Sequence, residues 1–352
     1  MEVPPNTGNL QPPAQRTYKL REALLFGGVQ QPWRTGKPEL SAINPIPSMI
    51  CEDESRFLHW IARSHLSGRG CVVDLGPLAG GSTHALCSGL ALNPRAAGRT
   101  RVHAYDLWRF VPGWESYFPA ARLKKWDDLL PLFAANVAAY AGVVVPHQGN
   151  MLKHRWTGGP IEILFVDAAK SVELWKFVLR EFLPHCIPGH TLIVHQDWVC
   201  AECPWIHLTT ARLAEYLAPV DSPDGATVAF LLRRPIPREL LEQEDHAVSP
   251  LPDAVALLER SASWMVGWYR SCVELAVAHY LVIRGHPERA LQILERVRAD
   301  PAYSRGVERD AELVLAAIES RKHPVRASLS RWRDTCSRAM RRTLDAMGGR
   351  LG

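Results

Sequence analysis

Between residues 71 and 232, short apolar runs alternate with segments of helical periodicity. This alternation predicts βαβ units, and therefore an α/β fold with a doubly wound, mostly parallel sheet and helices on both of its faces. Ligands of such sheets bind beyond the carboxyl ends of the strands, so the residues that follow each run are the candidate site. The predicted strands are residues 71–75, 101–105, 143–145, 161–166, 191–194 and 227–232.

Helical spacing of apolar residues predicts five helices between residues 52 and 217: residues 52–66, 82–92, 123–140, 172–185 and 206–217. From residue 253 to residue 320 the pattern is helical only. Residues 280–294 resemble one tetratricopeptide-like repeat, but a stable array needs about three or more. The favoured interpretation is therefore an α-helical C-terminal extension that packs on the sheet domain.

Composition divides the chain into four predicted regions. A proline-bearing leader over residues 1–16 is expected to be disordered. A sheet domain (17–235), a helical region (236–325) and a basic amphipathic tail helix (326–352) follow it. The tail helix suits an anionic membrane surface or a protein partner, or it docks its apolar stripe on the body.

The net charge of +5 comes from the tail. Residues 321–352 hold nine Lys or Arg and two Asp or Glu, a net +7, which leaves the other residues at −2. A basic pI that arises this way does not indicate a nucleic-acid partner for the body.

Nothing in the sequence predicts a membrane-spanning helix or a signal peptide. Mean hydropathy is −0.11, and no stretch approaches the ~18 apolar residues of a membrane helix. The first residues lack the apolar segment of a signal peptide, and eight cysteines are sparse for a disulfide scaffold. We expect a cytoplasmic protein with reduced thiols.

A glycine-rich turn follows the first predicted strand and precedes a helix that Ser82 or Thr83 is expected to cap. Glycine lets the backbone approach a ligand closely, and the helix start offers free N–H groups to a phosphate or a carboxylate. The dinucleotide pattern G-x-G-x-x-G and the P-loop pattern are both absent. A tight strand-to-helix turn without a ligand is the alternative.

Four motifs in order make the segment 49–233 resemble the class I S-adenosylmethionine (SAM) dependent methyltransferases. The nearest resemblance is to the macrocin O-methyltransferase and cephalosporin-hydroxylase-like group. It implies a Rossmann-like sheet of the class I methyltransferase type, and SAM as cofactor. The motifs are Asp74-Leu75-Gly76 with Gly80-Gly81-Ser82-Thr83, residues 102–106, residues 163–167, and residues 187–191 with 195–198.

The resemblance also implies roles for individual residues. Asp74 and the turn from Gly76 to Thr83 would hold the methionine moiety, and Asp106 would accept from the ribose hydroxyls. Asn150 would lie beside the adenine, and Asp167 beneath the sulfonium. The residues predicted to bind the cofactor are Asp74, Gly76, Gly80, Gly81, Ser82, Thr83, Asp106, Asn150 and Asp167.

Metal-dependent members of this group carry Asp-x-Asp after the fourth strand and Asp-Asp after the fifth. Here the same positions read Asp167-Ala168-Ala169 and Gln196-Asp197, so two carboxylates are missing. Because Mg²⁺ favours several oxygen ligands, the sequence does not favour a divalent metal cofactor. The ammonium of Lys170 is a hypothetical occupant of part of the vacated position.

His195 is the predicted general base, because imidazole titrates near neutral pH and this residue ends the fifth strand. Asp197 is predicted to orient it or to hold substrate. The alternative for His195 is a hydrogen-bonded histidine at a strand end. A zinc site built from His195, Cys200, Cys203 and His207 is a further hypothesis, weighed against ordinary buried thiols.

Seven tryptophans lie between residues 108 and 205. Trp108 and Trp114 fall where a lid would lie, and flat aromatic faces suit sugars or aromatic substrates. Helical spacing assigns Trp126 and Trp175 to the core.

The leading functional hypothesis is in-line O-methylation of a sugar-containing or other hydroxylated small molecule, which would be the acceptor. The alternative hypothesis is a catalytically degenerate protein that keeps the SAM-binding fold and serves as an interaction scaffold.

Overall fold

The structure of the protein is a computed structural model. It describes residues 33, 46, 48–112, 114–118, 122–223, 226–242, 250–265, 267–300, 303 and 305–322. The predicted leader (1–16) and the predicted tail helix (326–352) lie outside the described residues.

A seven-stranded sheet forms the centre of the molecule, with the strand order β3-β2-β1-β4-β5-β7-β6. The pairs along β3-β2-β1-β4-β5 are parallel, and β7 runs antiparallel to both β5 and β6. The predicted doubly wound, mostly parallel sheet is therefore confirmed. The strands are β1 (Cys71–Leu75), β2 (Val102–Asp106), β3 (Val144–Gln148), β4 (Ile161–Val166), β5 (Leu192–His195), β6 (Leu217–Asp221) and β7 (Val228–Leu232).

Helices cover both faces of this sheet and continue beyond it. Those of the sheet domain are α1 (Glu52–Ser64), α2 (Gly81–Ala91), α3 (Leu130–Asn136), α4 (Val172–Glu181) and α5 (Pro204–Arg212). Those of the C-terminal region are α6 (Arg238–Glu242), α7 (Leu251–Ser263), α8 (Gly267–Ile283), α9 (Pro287–Ala299) and α10 (Arg305–Lys322). The predicted helical extension is thus present.

Alternate residues of the strands point to two different cores. Val72 and Ile163 pack with α1 and α2 on one face, while Val73 and Leu164 face the other. This second core continues without a break into α7, α8, α9 and α10. The C-terminal helices therefore share a core with the sheet, as expected of a region that packs on it.

The two largest differences from the sequence prediction are in helices. The helix predicted at 123–140 begins only at Leu130, because Asp128 Oδ1 accepts the Leu130 N–H at 3.0 Å and ends the preceding turn. The segment 206–217 was expected to stay helical, but the helix ends at Arg212 and an edge strand follows. That strand contains Pro219, which is tolerated at the edge of a sheet.

Two further observations concern the described residues. None of their helices is long and apolar enough to cross a membrane. Their cysteines are all free thiols.

Candidate active site

The parallel pairing brings the carboxyl ends of four strands to one edge of the sheet. Leu75 lies beside Tyr105 on one side and Val166 on the other, and Val166 lies beside His195. The residues that follow these positions are Gly76, Asp106, Asp167 and Gln196. The predicted cofactor and base residues of these strands therefore share one edge, as the topology requires.

Asp74 is fully buried on β1 directly beneath the glycine-rich turn. Its Oδ2 accepts hydrogen bonds from Ser82 Oγ at 2.9 Å and from Thr83 Oγ1 at 2.6 Å. Its Oδ1 has no partner among the described residues. Burial raises the pKa of this carboxyl to about 7, although the two hydroxyls lower it in part.

The start of α2 is not capped by Ser82 or Thr83, so that prediction is wrong. The N-cap is Gly80, with φ of +100°, and no side chain caps the helix. The hydroxyls predicted as caps are used by Asp74 instead. A helix start without a side-chain cap leaves N–H groups that water or an anionic ligand can satisfy.

Packing explains why two positions of the turn are glycine. A Cβ on Gly76, which has φ of +94°, would lie 2.5 Å from the backbone oxygen of Asp167. A Cβ on Gly80 would meet side-chain atoms of Val137 at 3.0 Å and of Phe133 at 3.2 Å. These glycines allow the turn to lie close to β4 and α3.

Asp106 joins two loops at this edge. Its Oδ2 accepts the Leu78 N–H at 2.9 Å, and its Oδ1 accepts the Trp108 N–H at 2.7 Å. Burial raises its pKa, and the backbone hydrogen bonds oppose that rise. Each carboxylate oxygen has a second lone pair, so both remain able to accept from a ligand.

Two more side chains fix the glycine-rich turn from outside. Trp108 Nε1 donates to the Leu78 oxygen and Asn136 Nδ2 donates to the Ala79 oxygen, each at 2.8 Å. Leu78 is held at φ of +49°, a strained value for a residue with a side chain. Sequence reasoning missed Asn136, because no local pattern reports its contact with Ala79 across 57 residues.

Asn150 lies at the carboxyl end of β3, directly after Gly149. Its Oδ1 accepts the Leu152 N–H at 3.0 Å and caps a short 3₁₀ turn. The carbonyl predicted to face adenine thus already holds one backbone N–H, with one lone pair left.

The ammonium of Lys170, the hypothetical occupant of the vacated metal position, contacts two carboxylates. Lys170 Nζ lies 3.1 Å from Asp167 Oδ1 and also contacts Asp197 Oδ1. The side-chain amide of Gln196, with its nitrogen toward the carboxylates, donates to the same two oxygens at 3.1 Å each. We call Asp167, Lys170, Gln196 and Asp197 the lysine-carboxylate group.

Charges within this group act on each other. Burial would lower the pKa of Lys170, but the carboxylates of Asp167 and Asp197 raise it above its ordinary value. Burial raises the pKa of Asp167, as does Asp197, while Lys170 lowers it; the net direction is upward. One ammonium thus forms ion pairs with two carboxylates.

His195 is 1% exposed, and neither of its ring nitrogens has a partner among the described residues. Trp175 and Trp198 surround the ring, with centroids 4.7 and 6.2 Å away. Burial lowers its pKa to about 3, with a smaller contribution from the charge of His207. Asp197 is paired with Lys170 rather than with His195, so the expectation that Asp197 orients His195 is wrong.

The zinc hypothesis gains no support from the geometry. Within the described part of the chain, no three His, Cys, Asp or Glu side chains are arranged to hold a metal ion. His207 Nδ1 is instead 2.9 Å from Ser261 Oγ, a hydrogen bond that joins α5 to α7.

The tryptophan predictions are confirmed in part. Trp175 is buried, as predicted, but Trp126 is 37% exposed, so its assignment to the core is wrong. Trp108 is fully buried against Phe133, at a centroid distance of 4.6 Å, and offers no face to a substrate. Trp114 is half-buried and stays a candidate.

The C-terminal helices support the segment after β5. Asp310 Oδ2 accepts the Ala201 N–H at 3.3 Å, and His279 Nδ1 lies 2.9 Å from the Ala201 oxygen. Trp198 lies against Trp264 with ring centroids 6.3 Å apart. Residues distant in sequence therefore position the loop that carries Asp197. Sequence reasoning did not predict these contacts.

No protein-family model matches the chain, and no curated protein matches it. Solved structures do resemble it. Cofactor-bound Rv0187 from MTB is 18% identical over 66% of this chain and 99% of that chain, with a TM-score of 0.37. The O-methyltransferase NovP is 14% identical over 63% of this chain and 100% of that chain, with a TM-score of 0.40.

A third structure is CalS11, a TDP-rhamnose 3'-O-methyltransferase of calicheamicin biosynthesis. It is 14% identical over 66% of this chain and 96% of that chain, with a TM-score of 0.39. The strand order, the antiparallel β7 and the flanking helices give this chain the fold of the class I methyltransferases.

Proposed function

We propose that this protein is a SAM-dependent methyltransferase that methylates a hydroxyl group of a sugar-containing or other hydroxylated small molecule. One observation carries the proposal: a helix start without a side-chain cap and three carboxylates, Asp74, Asp106 and Asp167, converge on one edge of the sheet. That set of groups complements a ligand with both anionic and cationic parts.

The residues at this edge fit the chemistry of SAM. The N–H groups at the start of α2 suit its carboxylate. Asp106 has lone pairs left for the ribose diol. The buried Asp74, with its unpartnered Oδ1, and Asp167 supply negative potential for the ammonium and the sulfonium.

Bound there, the cofactor supplies a methyl group on a positively charged sulfur. The chain's own residues then have three tasks: to align the acceptor, to exclude water and to take the hydroxyl proton. We assign alignment of the acceptor to the segment after β5, which the C-terminal helices hold in place.

His195 remains our proposed general base, but its burial means that an acceptor must first gain access to the ring. A base must lie within hydrogen-bond reach of the proton it takes, and the ideal pKa is near the working pH. With 1% exposure and a pKa of about 3, His195 is neutral but weakly basic. It therefore acts only if acceptor binding opens a path to the ring.

The test is methyl transfer from labelled SAM to a panel of hydroxylated small molecules, sugars included. We expect His195→Ala to lose transfer while it still binds SAM. His185→Gln, at an exposed histidine, serves as the control. Unchanged transfer in His195→Ala would remove that residue from the role of base. Failure of the wild type to methylate any acceptor, together with failure to bind SAM, would overturn the proposed function.

A further inference from the structure

We propose that the ammonium of Lys170 is the resident cation of the acceptor side of the site, fixed between Asp167 and Asp197 where a divalent metal would otherwise bind. The contact with an acceptor rests on the proposed function, but the identity of the cation at this edge of the sheet does not.

The first argument is positional. Both Oδ1 atoms, of Asp167 and of Asp197, converge on the same ammonium and on the same amide nitrogen of Gln196. A metal ion that bridged these oxygens would need the space that Lys170 Nζ and the Gln196 amide occupy. The residues present therefore do not fit a bound divalent ion.

The second argument is electrostatic. The carboxylates are largely buried, with side-chain exposures of 17% for Asp167 and 7% for Asp197. Two carboxylates that face one another in such a place repel unless a cation lies between them. Removing the Lys170 charge while keeping both carboxylates should leave a position that attracts another cation.

The third argument is access. The side chain of Lys170 is 47% exposed, so a ligand can reach part of it, although its ammonium contacts two largely buried carboxylates. An ammonium has three N–H donors, and the described residues take two of them, through Asp167 and Asp197. The third is available to an oxygen of the acceptor, which a positive charge would polarise toward the alkoxide.

The experiment titrates the full chain with Mn²⁺ alone and follows the free ion by electron paramagnetic resonance, with neither SAM nor acceptor present. The variants are Lys170→Ala and the double variant Lys170→Ala with Gln196→Asp, which adds a carboxylate. Lys125→Ala, which removes an exposed charge elsewhere, is the control. Lys170→Gln provides a second neutral variant in case Lys170→Ala does not fold.

We expect the wild type and Lys125→Ala to bind Mn²⁺ weakly. Lys170→Ala or Lys170→Gln should bind one ion at least about tenfold more tightly, and the double variant more tightly again, since Mn²⁺ and Mg²⁺ bind through carboxylates and water. Mg²⁺ should compete for this ion. Equal Mn²⁺ affinity of the wild type and the neutral variants would overturn the inference, whether or not the protein proves to be a methyltransferase.

Discussion

The two ends of the central sheet each bury a carboxylate completely, but the two carboxylates differ in the hydrogen-bond donors that surround them. At the amino end, Glu162 of β4 accepts from the backbone N–H groups of Ser67 and Gly68, from Ser67 Oγ and from the ring of His190. At the carboxyl end, Asp74 of β1 accepts from two hydroxyl groups on one oxygen and from no described residue on the other.

This difference in hydrogen-bond donors explains the different pKa values of the two carboxyl groups. Burial raises the pKa of both groups, but at Glu162 the hydrogen bonds from His190 and Ser67 outweigh burial and bring the pKa to about 2. At Asp74 the hydroxyls offset burial only partly, and the pKa is about 7. The amino end is satisfied and stabilises the fold. The carboxyl end keeps unmet polar groups, which a ligand can satisfy.

The strongest test of this comparison is Glu162→Gln. The change removes the charge and turns an amide N–H₂ toward groups that already donate, so we expect a loss of about 3 kcal/mol in the free energy of unfolding. Urea denaturation at pH 7 measures it. Glu215→Gln, in the exposed pair with Arg234, is the control and should cost below ~1 kcal/mol. Equal losses would contradict the assignment of Glu162 as a stabilising group.

The pH dependence of the same pair of proteins sharpens the test. Because the folded pKa of Glu162 is about 2, below its ordinary 4.5, its contribution is complete above pH 4.5 and is lost as pH falls toward 2. The gap in unfolding free energy between wild type and Glu162→Gln should therefore narrow over that interval. A gap that stays constant from pH 7 down to the acid limit would refute this linkage.

Asp74→Asn should have a smaller effect of the opposite sign. The pKa of Asp74 is raised from 3.8 to about 7, so its contribution to stability is complete below pH 3.8 and is lost as pH rises through 7. An amide oxygen still accepts from Ser82 and Thr83 but carries no charge. We expect the unfolding free energy of the variant to match that of wild type near pH 4 and to exceed it at pH 8.

Asp74→Asn should also bind SAM more weakly than wild type. Weaker binding by a more stable variant would show that the charge of Asp74 favours ligand binding at the expense of folding stability. Urea denaturation at the two pH values and calorimetric titration of SAM provide the two readouts. A variant less stable than wild type at pH 8 would contradict the electrostatic account of Asp74.

The smallest expected effect comes from glycine-to-alanine substitutions at the two ends of the sheet, which distinguish the cost of backbone strain from the cost of packing. Gly80 and Gly189 both have positive φ, but a Cβ on Gly189 meets nothing within 4 Å, while one on Gly80 meets Val137 and Phe133. Gly189→Ala should cost about 1 kcal/mol from strain alone, and Gly80→Ala about 1 kcal/mol more. Equal urea midpoints would show that packing of the turn against α3 does not matter.

The sequence predicted the parts of the site that local pattern determines. The alternation of strand and helix placed Asp74, Asp106 and Asp167 at one edge, because parallel strands end together. The sequence also raised the hypothesis that the ammonium of Lys170 occupies part of the vacated metal position.

What the sequence could not predict depends on contacts between distant residues. The hydroxyls of Ser82 and Thr83 looked like helix caps, and only the fold shows that they point to Asp74. Trp108 looked available to a substrate, but it is buried against Phe133. Likewise, the unpartnered ring of His195 is visible only once Trp175 and Trp198 are seen to enclose it.

The central claim is that the carboxyl end of the sheet is a SAM site, and calorimetric titration tests it most directly. SAM and its demethylated product are titrated into ligand-free wild type, Asp106→Ala and the control Asp253→Ala, which alters an exposed residue of α7. We predict that wild type and Asp253→Ala bind both ligands and that Asp106→Ala binds them at least about tenfold more weakly, since a partly buried charged acceptor is lost. No binding of either ligand by clean, folded wild-type protein would contradict the account.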